Sequence, residues 1–323
     1  MRSVTISAPG KLMIMGEHAV LYGERCIVTA VEQRLQATLT CIADPVLEIE
    51  APDVQLTEYT RSLSSLNQGV VPKGARFIEQ AVLAIHTAHP LPWGIRIETA
   101  SDFSSLMGFG SSSASTVCVV KGLYSLLGIE HTDQDVFSAA FQAVRAVQGI
   151  ASGFDIAAAV FGGTCVYSMK EGMTQRLPRL PLVIGYSGQK ADTVSMIEAV
   201  KKRLLTDAHL QQIFPRIGGL VAEALNACEM LDLSAIGALM NANHELLKEL
   251  GVSTPTLDAM IAGALHAGSL GAKLSGAGGG DCMIALVPDA RRQDVLHAIE
   301  RAGGKCIDIP THAQGCTVVH SAL

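Results

Sequence analysis

The chain has 323 residues, of which 49% are hydrophobic and 17% are charged, and its formal net charge is −6. This composition is typical of a globular protein with one large domain or two medium ones, and it excludes an intrinsically disordered chain. Acidic and basic residues are dispersed, and charged, Gly or Pro residues interrupt every apolar run, so we expect neither a nucleic-acid nor a membrane partner.

Short, β-branched and partly alternating segments predict that the first hundred residues are mostly strands. These predicted strands cover residues 3–7, 26–31, 35–41, 46–50 and 95–98. A helix is predicted at 74–86, and a longer one at Ser111–Leu127 has an apolar stripe and serines that could cap its start. Two more helices, at 133–147 and Phe154–Phe161, precede a strand at 164–167.

The second half of the chain alternates long helices with a few strands. Strands are predicted at Leu182–Tyr186, 271–274, 282–287 and 317–320. Helical periodicity predicts helices at 193–204, 209–231, 236–250, 256–268 and 290–302. Strands that cluster early and helices that are interleaved late predict an α+β protein with two lobes. We expect these lobes to be residues 1–170 and 171–323, because polar residues and two prolines interrupt the pattern at their boundary.

Two segments rich in glycine suggest that bare backbone approaches a neighbour or a ligand. The first glycine loop, Gly108-Phe-Gly-Ser-Ser-Ser-Ala114, opens a predicted helix whose N-terminal amides could bind an anion, although serines at this position are often plain caps. The second glycine loop, residues 275–280, has four glycines in its last five positions. So many glycines favour the close approach of a ligand or of another backbone, and a flexible turn is the alternative.

Charged residues near two predicted elements allow a functional and a structural interpretation. Asp155 could form a capping box with Ser152, or it could be an ionised carboxylate that orients or deprotonates a substrate hydroxyl. Lys11, Glu17 and His18 flank an apolar run that is predicted to be a buried strand, where charge without a partner is unfavourable. A cleft that binds an acidic substrate would explain them, whereas an isolated lysine is ordinarily a solvated charge.

The eight cysteines are scattered, without a Cys-x-x-Cys pair or a Cys/His cluster at zinc spacing. Several of them, such as Cys118 and Cys165, lie in apolar runs and are expected to be small buried residues. This usage fits the reducing cytosol better than secretion, so a cytoplasmic location is predicted.

Taken together and in this order, these segments resemble the GHMP superfamily of small-molecule kinases, which includes galactokinase, homoserine kinase, mevalonate kinase and phosphomevalonate kinase. Within it, Gly16-Glu-His-Ala-Val-Leu-Tyr-Gly23 is similar to the mevalonate kinase signature, and residues 243–258 are similar to that branch as well. Two later segments, residues 148–159 and 278–282, are more similar to phosphomevalonate kinase. We favour the mevalonate kinase branch, because the N-terminal signature should contact the acceptor and so select it.

The resemblance implies a two-lobed GHMP kinase fold with an active-site cleft between the lobes, and ATP-dependent phosphorylation of the hydroxyl of mevalonate to give 5-phosphomevalonate. Lys11 and Asp155 would be catalytic, and the residues that bind mevalonate would be Lys11, Glu17, His18 and Asp155. ATP would be bound by both glycine loops, through Gly108, Phe109, Gly110, Ser111, Ser112, Ser113, Gly276, Ala277 and Gly278. Mg²⁺ would be held by Ser112.

Mevalonate kinases usually place a Mg²⁺-binding Glu on the helix before the Ser-Gly-x-Asp turn, but residues 136–147 contain no acid, so the second protein ligand stays open. Phosphomevalonate kinase is the closest alternative function, and its phosphorylated acceptor would need extra cations such as Lys73, Arg76 or Lys190. Another GHMP-type kinase, or a nucleotide-binding regulator without kinase activity, is a further alternative. A homodimer also stays open at this point.

Overall fold

The computed structural model describes residues 2–102 and 107–322, whose strands form two β-sheets. The larger sheet has eight strands: β1 (Ser3–Met15), β2 (Cys26–Ile42), β3 (Val46–Ala51), β4 (Leu56–Ser62), β5 (Gly94–Ser101), β6 (Thr164–Ser168), β7 (Gly172–Leu177) and β12 (Thr317–Ala322). The smaller sheet has four strands: β8 (Leu182–Tyr186), β9 (Gly271–Ser275), β10 (Cys282–Leu286) and β11 (Lys305–Ile307). Together with the helices below, these sheets confirm the predicted α+β class.

The larger sheet has the strand order β12-β1-β2-β5-β3-β4, and β6 joins it through β2 and carries β7. Its paired strands are antiparallel except β3 and β5, which are parallel. The smaller sheet is antiparallel, in the order β11-β8-β10-β9. Although β12 is last in the chain, it returns to the larger sheet and pairs with β1. The division into lobes at residues 170 and 171 stays a prediction.

The helices cover the sheets. Within the described residues they are α1 (Arg76–Ala88), α2 (Ser111–Leu127), α3 (Asp133–Gln148), α4 (Phe154–Phe161), α5 (Thr193–Thr206), α6 (Ile213–Glu229), α7 (Leu233–Glu249), α8 (Pro255–His266) and α9 (Arg292–Arg301). Helices α2 and α4 pack against β1 and β2, and α7 and α8 pack against β9. In the part of the chain that the structure describes, no helix is both long and apolar enough to cross a bilayer.

Strands β1 and β2 are longer than predicted. The predicted strands at 26–31 and 35–41 are one continuous strand, which pairs with β1 from Ser3↔Thr40 to Met15↔Ile27. The polar residues between them interrupt the apolar pattern, and the pairing with β1 skips residues 32 and 33. Arg34 also donates a side-chain hydrogen bond of 2.7 Å to Oγ of Ser7 on β1. Register shifts between Pro9 and Gly10 let the pairing continue past the proline.

Three strands and one helix start were not predicted correctly. Strand β4 lies at the sheet edge with mostly exposed residues, so it lacks an apolar alternation. Strand β7 is polar and only partly buried along most of its length, and β11 has only three residues. The predicted helix at 209–231 is a short 3₁₀ helix at Ala208–Gln212 followed by α6. Pro215 lies in the first turn of α6, where a helix does not need its missing amide donor.

The two sheets meet where β1 and β9 end. The Ser275 hydroxyl at the end of β9 donates to the carbonyl of Met13 at 2.8 Å, and it accepts from the Met13 amide at 3.0 Å. This double contact holds the ends of both strands together. The segment after β1, which contains Glu17 and His18, therefore lies beside the second glycine loop.

Candidate active site

Lys11 lies in β1 with its side chain buried, so its ammonium group needs partners inside the protein. Its Nζ atom donates a hydrogen bond of 2.9 Å to the carbonyl oxygen of Gly108 and lies 3.4 Å from Oδ1 of Asp155. It also lies 5.3 Å from the centroid of the Phe154 ring, within the range of a cation–π contact. One lysine therefore joins β1, the first glycine loop and the start of α4.

The first glycine loop turns sharply into α2. Gly108 and Gly110 have positive φ angles of 74° and 80°, which side chains other than glycine rarely adopt. A Cβ atom on Gly110 would lie only 3.1 Å from Cε of Lys11, so a glycine lets the lysine pass. Gly110 is also the N-cap of α2 and no side chain caps the helix, so the interpretation of the serines as caps is wrong.

The serines of the first turn of α2 differ in exposure. Ser111 and Ser112 are half-buried, whereas Ser113 is buried. The carbonyl of Ser112 accepts hydrogen bonds from later side chains of the helix, but within the described residues its hydroxyl has no hydrogen-bond partner. Phe109, the remaining predicted ATP-binding residue of this loop, is 1% exposed and anchors the loop in the core.

Asp155 lies in the first turn of α4 but does not cap it. The N-cap is Gly153, with a φ angle of 87°, and it makes no side-chain capping bond, so the capping-box interpretation of Asp155 is wrong. Oδ1 of Asp155 has no hydrogen-bond partner in the described part of the chain, and its ion partner is Lys11. The side chain is 33% exposed although Oδ1 itself is buried, so a substrate can reach the carboxylate only at its exposed atoms.

The glycines of the second glycine loop serve two different purposes. A Cβ atom on Gly278 would lie 2.1 Å from the carbonyl oxygen of Val252, to which the amide of Gly279 donates at 2.8 Å. Gly278 is therefore required for the close approach of another backbone. Gly276, with a φ angle of 100°, has open space where its Cβ would be, which leaves room for a ligand. Ala277 lies between them.

The two glycine loops contact each other through Asp281, which follows the second loop. A Cβ atom on Gly108 would lie 2.5 Å from Oδ2 of Asp281. Oδ1 of Asp281 accepts from the amide of Ala191 at 3.0 Å and lies 3.5 Å from Nζ of Lys190. The sequence marked Asp281 only as a family feature, because nothing in it indicates which distant loop a residue will touch.

Glu17 and His18 both contact the second glycine loop. The carboxylate of Glu17 accepts a hydrogen bond from the ammonium of Lys273, and the nearby amide of Gly276 favours its charged form, which opposes the rise in its pKa that burial causes. Nε2 of His18 donates to the carbonyl of Ala277 at 2.9 Å. Burial lowers the pKa of His18, although the Ala277 carbonyl opposes this, so the ring is neutral near pH 7.

Lys273 is the residue of this region that sequence reasoning assigned no role. It is fully buried in β9, and its presence in an apolar strand was the one available signal. Burial raises the pKa of Glu17 and lowers the pKa of Lys273, and the charge of each partner opposes the shift of the other. Burial, together with the charge of Lys273, lowers the pKa of His244 to about 4, although Asp258 at 3.3 Å opposes this.

A metal at this site would find few protein ligands. The described residues contain no group of three or more His, Cys, Asp or Glu side chains that could hold a metal ion. The acids of α3 are Asp133 and Asp135 in its first turn, at the far end from the Gly153 turn. The candidate oxygen donors are Asp155, beside Lys11, and Ser112 in the first turn of α2, which suit a hard cation that keeps several other oxygen ligands.

Comparisons with known proteins identify the family of the chain and its fold. A family model described as GHMP kinases N terminal domain matches residues 76–163, and one described as GHMP kinases C terminal matches residues 221–305. A mevalonate kinase from Pyrococcus furiosus is 33% identical over 316 residues, 93% of this chain and 94% of that protein. One from Pyrococcus horikoshii is 33% identical over 315 residues, 93% of each. The crystal structure of the Methanococcus jannaschii mevalonate kinase shares the fold, with a TM-score of 0.80, 23% identity and 98% of each chain covered.

The packing role of Gly278 can be tested against Gly276 in the same loop. Either alanine substitution places a side chain in the left-handed region, which costs about 1–2 kcal/mol. Gly278→Ala should cost clearly more in urea unfolding, because its Cβ also meets the Val252 carbonyl, whereas that of Gly276→Ala meets open space. Equal losses for the two variants would show that the loop does not pack against Val252.

His244 should make the fold sensitive to acid. Its folded pKa of about 4 lies below its ordinary value of 6.5, so its contribution to stability is complete above pH 6.5 and is lost as the pH falls towards 4. The contribution corresponds to about 3 kcal/mol. Between pH 7 and pH 4, the free energy of unfolding measured in urea titrations should therefore fall by about 3 kcal/mol less for His244→Gln than for the unmodified chain. His266→Gln, at an exposed site, is the control, and a His244 variant that behaves like it would refute the assignment.

Proposed function

The chain belongs to the GHMP kinase family, and we propose that it transfers the γ-phosphoryl group of ATP to the primary hydroxyl of mevalonate, giving 5-phosphomevalonate and ADP. The observation that carries this proposal is the Lys11–Asp155 pair beside the uncapped N-terminus of α2. The mevalonate kinases at 33% identity, which match nearly the whole chain, support mevalonate as the acceptor.

Asp155 would orient the acceptor hydroxyl and take its proton. Its side chain is partly exposed although Oδ1 is buried, so a hydroxyl could approach the exposed part of the carboxylate. As the hydroxyl oxygen forms its bond to the γ-phosphorus, the bond from that phosphorus to the β,γ-bridging oxygen breaks and ADP leaves. Lys11 would orient the carboxylate of Asp155 and stabilise negative charge on the transferred group. Positioning and electrostatics would therefore supply most of the rate.

The ATP phosphates would lie against both glycine loops. The N-terminal amides and dipole of α2 favour an anion there, and Gly110 leaves the helix end without a side-chain cap. On the opposite side, the open space at Gly276 would admit the nucleotide. The residues proposed to bind ATP are thus Gly108, Phe109, Gly110, Ser111, Ser112 and Ser113 from one loop, and Gly276, Ala277 and Gly278 from the other.

Mg²⁺ would be held by the Ser112 hydroxyl, with ATP oxygens and water as the other ligands. The free hydroxyl and the nearby carboxylate of Asp155 are oxygen donors of the kind that Mg²⁺ prefers, and Mg²⁺ tolerates a site with few protein ligands. When bound, the ion neutralises charge on the phosphate oxygens. The absence of an acid at residues 136–147 is therefore compatible with the proposed reaction.

Glu17 and His18 are proposed to form one wall of the mevalonate pocket. Their side chains already have partners, Lys273 in β9 for Glu17 and Ala277 in the second glycine loop for His18, which fixes their direction. The neutral ring of His18 would face the acceptor without adding charge to the pocket. We also propose a cytoplasmic location, because all eight cysteines are free thiols. A homodimer stays a prediction.

Phosphomevalonate kinase is the second candidate, and two of the three extra cations named for it have other partners. Arg76 donates to the carbonyl of Val71 at 3.1 Å, and Lys190 lies 3.5 Å from Asp281. Lys73 is exposed. A nucleotide-binding regulator without activity is disfavoured, because it would not require the Lys11–Asp155 pair beside a phosphate-binding helix.

The carboxylate of Asp155 can be tested without disturbing the helix. Asp155→Asn should fold normally, because Asp155 does not cap α4, and it should lower kcat by about 10²–10⁴-fold through loss of the proton acceptor. Asp133→Asn is a matched control, because Asp133 also lies in a first helical turn, 3.4 Å from Nζ of Lys121. An Asp155 variant that retains full turnover would exclude the proposed role.

The acceptor can be identified by following ADP release with ATP, Mg²⁺ and either mevalonate or 5-phosphomevalonate. We expect kcat/KM for mevalonate to exceed that for the phosphorylated compound by more than about tenfold, or about 1.4 kcal/mol. The reverse preference would identify a phosphomevalonate kinase. ATP binding without product from either compound, or from other small alcohols, would favour the regulator.

A further inference from the structure

The ion pair between Glu17 and Lys273 is almost completely buried, and the proposed reaction gives Lys273 no role. The two side chains are 1% and 0% exposed, and they come from positions 256 residues apart in the sequence. Lys273 also donates to the carbonyl of Leu274 at 2.5 Å, so two of its three N–H donors have acceptors inside the protein. Neither the carboxylate nor the ammonium group is exposed to solvent.

Stability does not explain why such a pair is present. Removing two charges from water costs several kcal/mol for each ion, and a well-packed apolar pair is often as stable or more stable. The polar surroundings are also incompletely satisfied, since Oε2 of Glu17, Nδ2 of Asn243 and Nδ1 of His244 have no partner among the described residues. What the pair does supply is a fixed geometry, because a hydrogen-bonded ion pair holds both of its side chains in defined positions.

Both ends of the pair lead into the proposed active site. Glu17 follows β1, the strand that carries Lys11, and its carboxylate lies close enough to the amide of Gly276 for that amide to oppose the rise in its pKa that burial causes. The adjacent His18 donates to the carbonyl of Ala277. Lys273 is in β9, which runs directly into the second glycine loop. The pair therefore sets the distance between the strand of the catalytic lysine and the loop that would cover the ATP phosphates.

We propose that Lys273 is a positioning residue, which acts through Glu17 to hold the second glycine loop in register with Lys11. This inference rests on the proposed phosphoryl transfer for its effect on rate, but not for its effect on the loop. In phosphoryl transfer, the placement of reactants sets the rate, and a displacement of about 1 Å can lower it by about 10²-fold.

The test uses the full chain and four variants: Lys273→Met, Glu17→Gln, the double variant, and Lys248→Met as control. The control removes a lysine from an exposed pair, 3.2 Å from Glu245, and should change nothing measured here. Hydrogen exchange of the amides of residues 276–280 reports loop order without any substrate. Steady-state kinetics with ATP and mevalonate reports turnover, and thermal unfolding reports stability.

Lys273→Met should lower kcat by about 10²-fold and speed amide exchange in the loop, with a smaller change in the KM for mevalonate. It should also lose stability, because it leaves a carboxylate buried without its cation. The double variant should regain melting temperature, since no lone charge remains. Its kcat should stay as low, and its loop amides should exchange as fast, as in the more impaired single variant. The loss of kcat in the double variant should be smaller than the product of the two single-variant losses, because the two residues act as a unit.

Two results would overturn the proposal. A double variant that recovers turnover together with melting temperature would make the pair merely structural. Unchanged loop exchange in a folded Lys273→Met or double variant would show that the loop is held by other contacts. If the unmodified chain does not phosphorylate mevalonate, the proposed function fails, but the exchange measurement still decides whether Lys273 orders the loop.

Discussion

A lysine ammonium group that folding removes from water must be given acceptors, and the partners of Lys11 bring the proposed active site together. The carbonyl of Gly108 and the carboxylate of Asp155 come from segments far from β1 in the sequence, and both lie within 3.4 Å of one nitrogen. Because an unpaired buried charge is so costly, the first glycine loop and the start of α4 cannot move away from β1 independently. This constraint explains how residues with no local connection form one chemical unit.

Around that unit, glycines allow segments of backbone to approach one another. The two helices that begin there, α2 and α4, have no side-chain caps. Gly110 and Gly153 begin α2 and α4 in a left-handed conformation, so neither helix uses its serine or aspartate as a cap. The helix end beside Lys11 is thus available to an anion, and Asp155 is available to a hydroxyl. In the second glycine loop, Gly278 allows close packing against another backbone, whereas Gly276 leaves open space. Two glycines of one loop are therefore present for different physical reasons.

Local pattern was sufficient to predict much of this fold from the sequence, including the bounds of α2, α4 and β8. It failed where structure depends on distant partners, as in β4 at an exposed edge and in β2, which the pairing with β1 extends. The segments of the site were recognised by resemblance, but their contacts were not. Neither the Glu17–Lys273 pair nor the approach of Asp281 to Gly108 has a signal in local sequence, since both depend on how the two sheets meet.

The most direct test of the account is a crystal structure with mevalonate and a non-hydrolysable ATP analogue. The account predicts that the acceptor hydroxyl lies within about 3.2 Å of the Asp155 carboxylate, where proton transfer is feasible. It also predicts the γ-phosphate between the N-terminus of α2 and Gly276, within reach of Lys11. A nucleotide or acceptor bound elsewhere, with Lys11 and Asp155 contacting neither, would contradict the central claim.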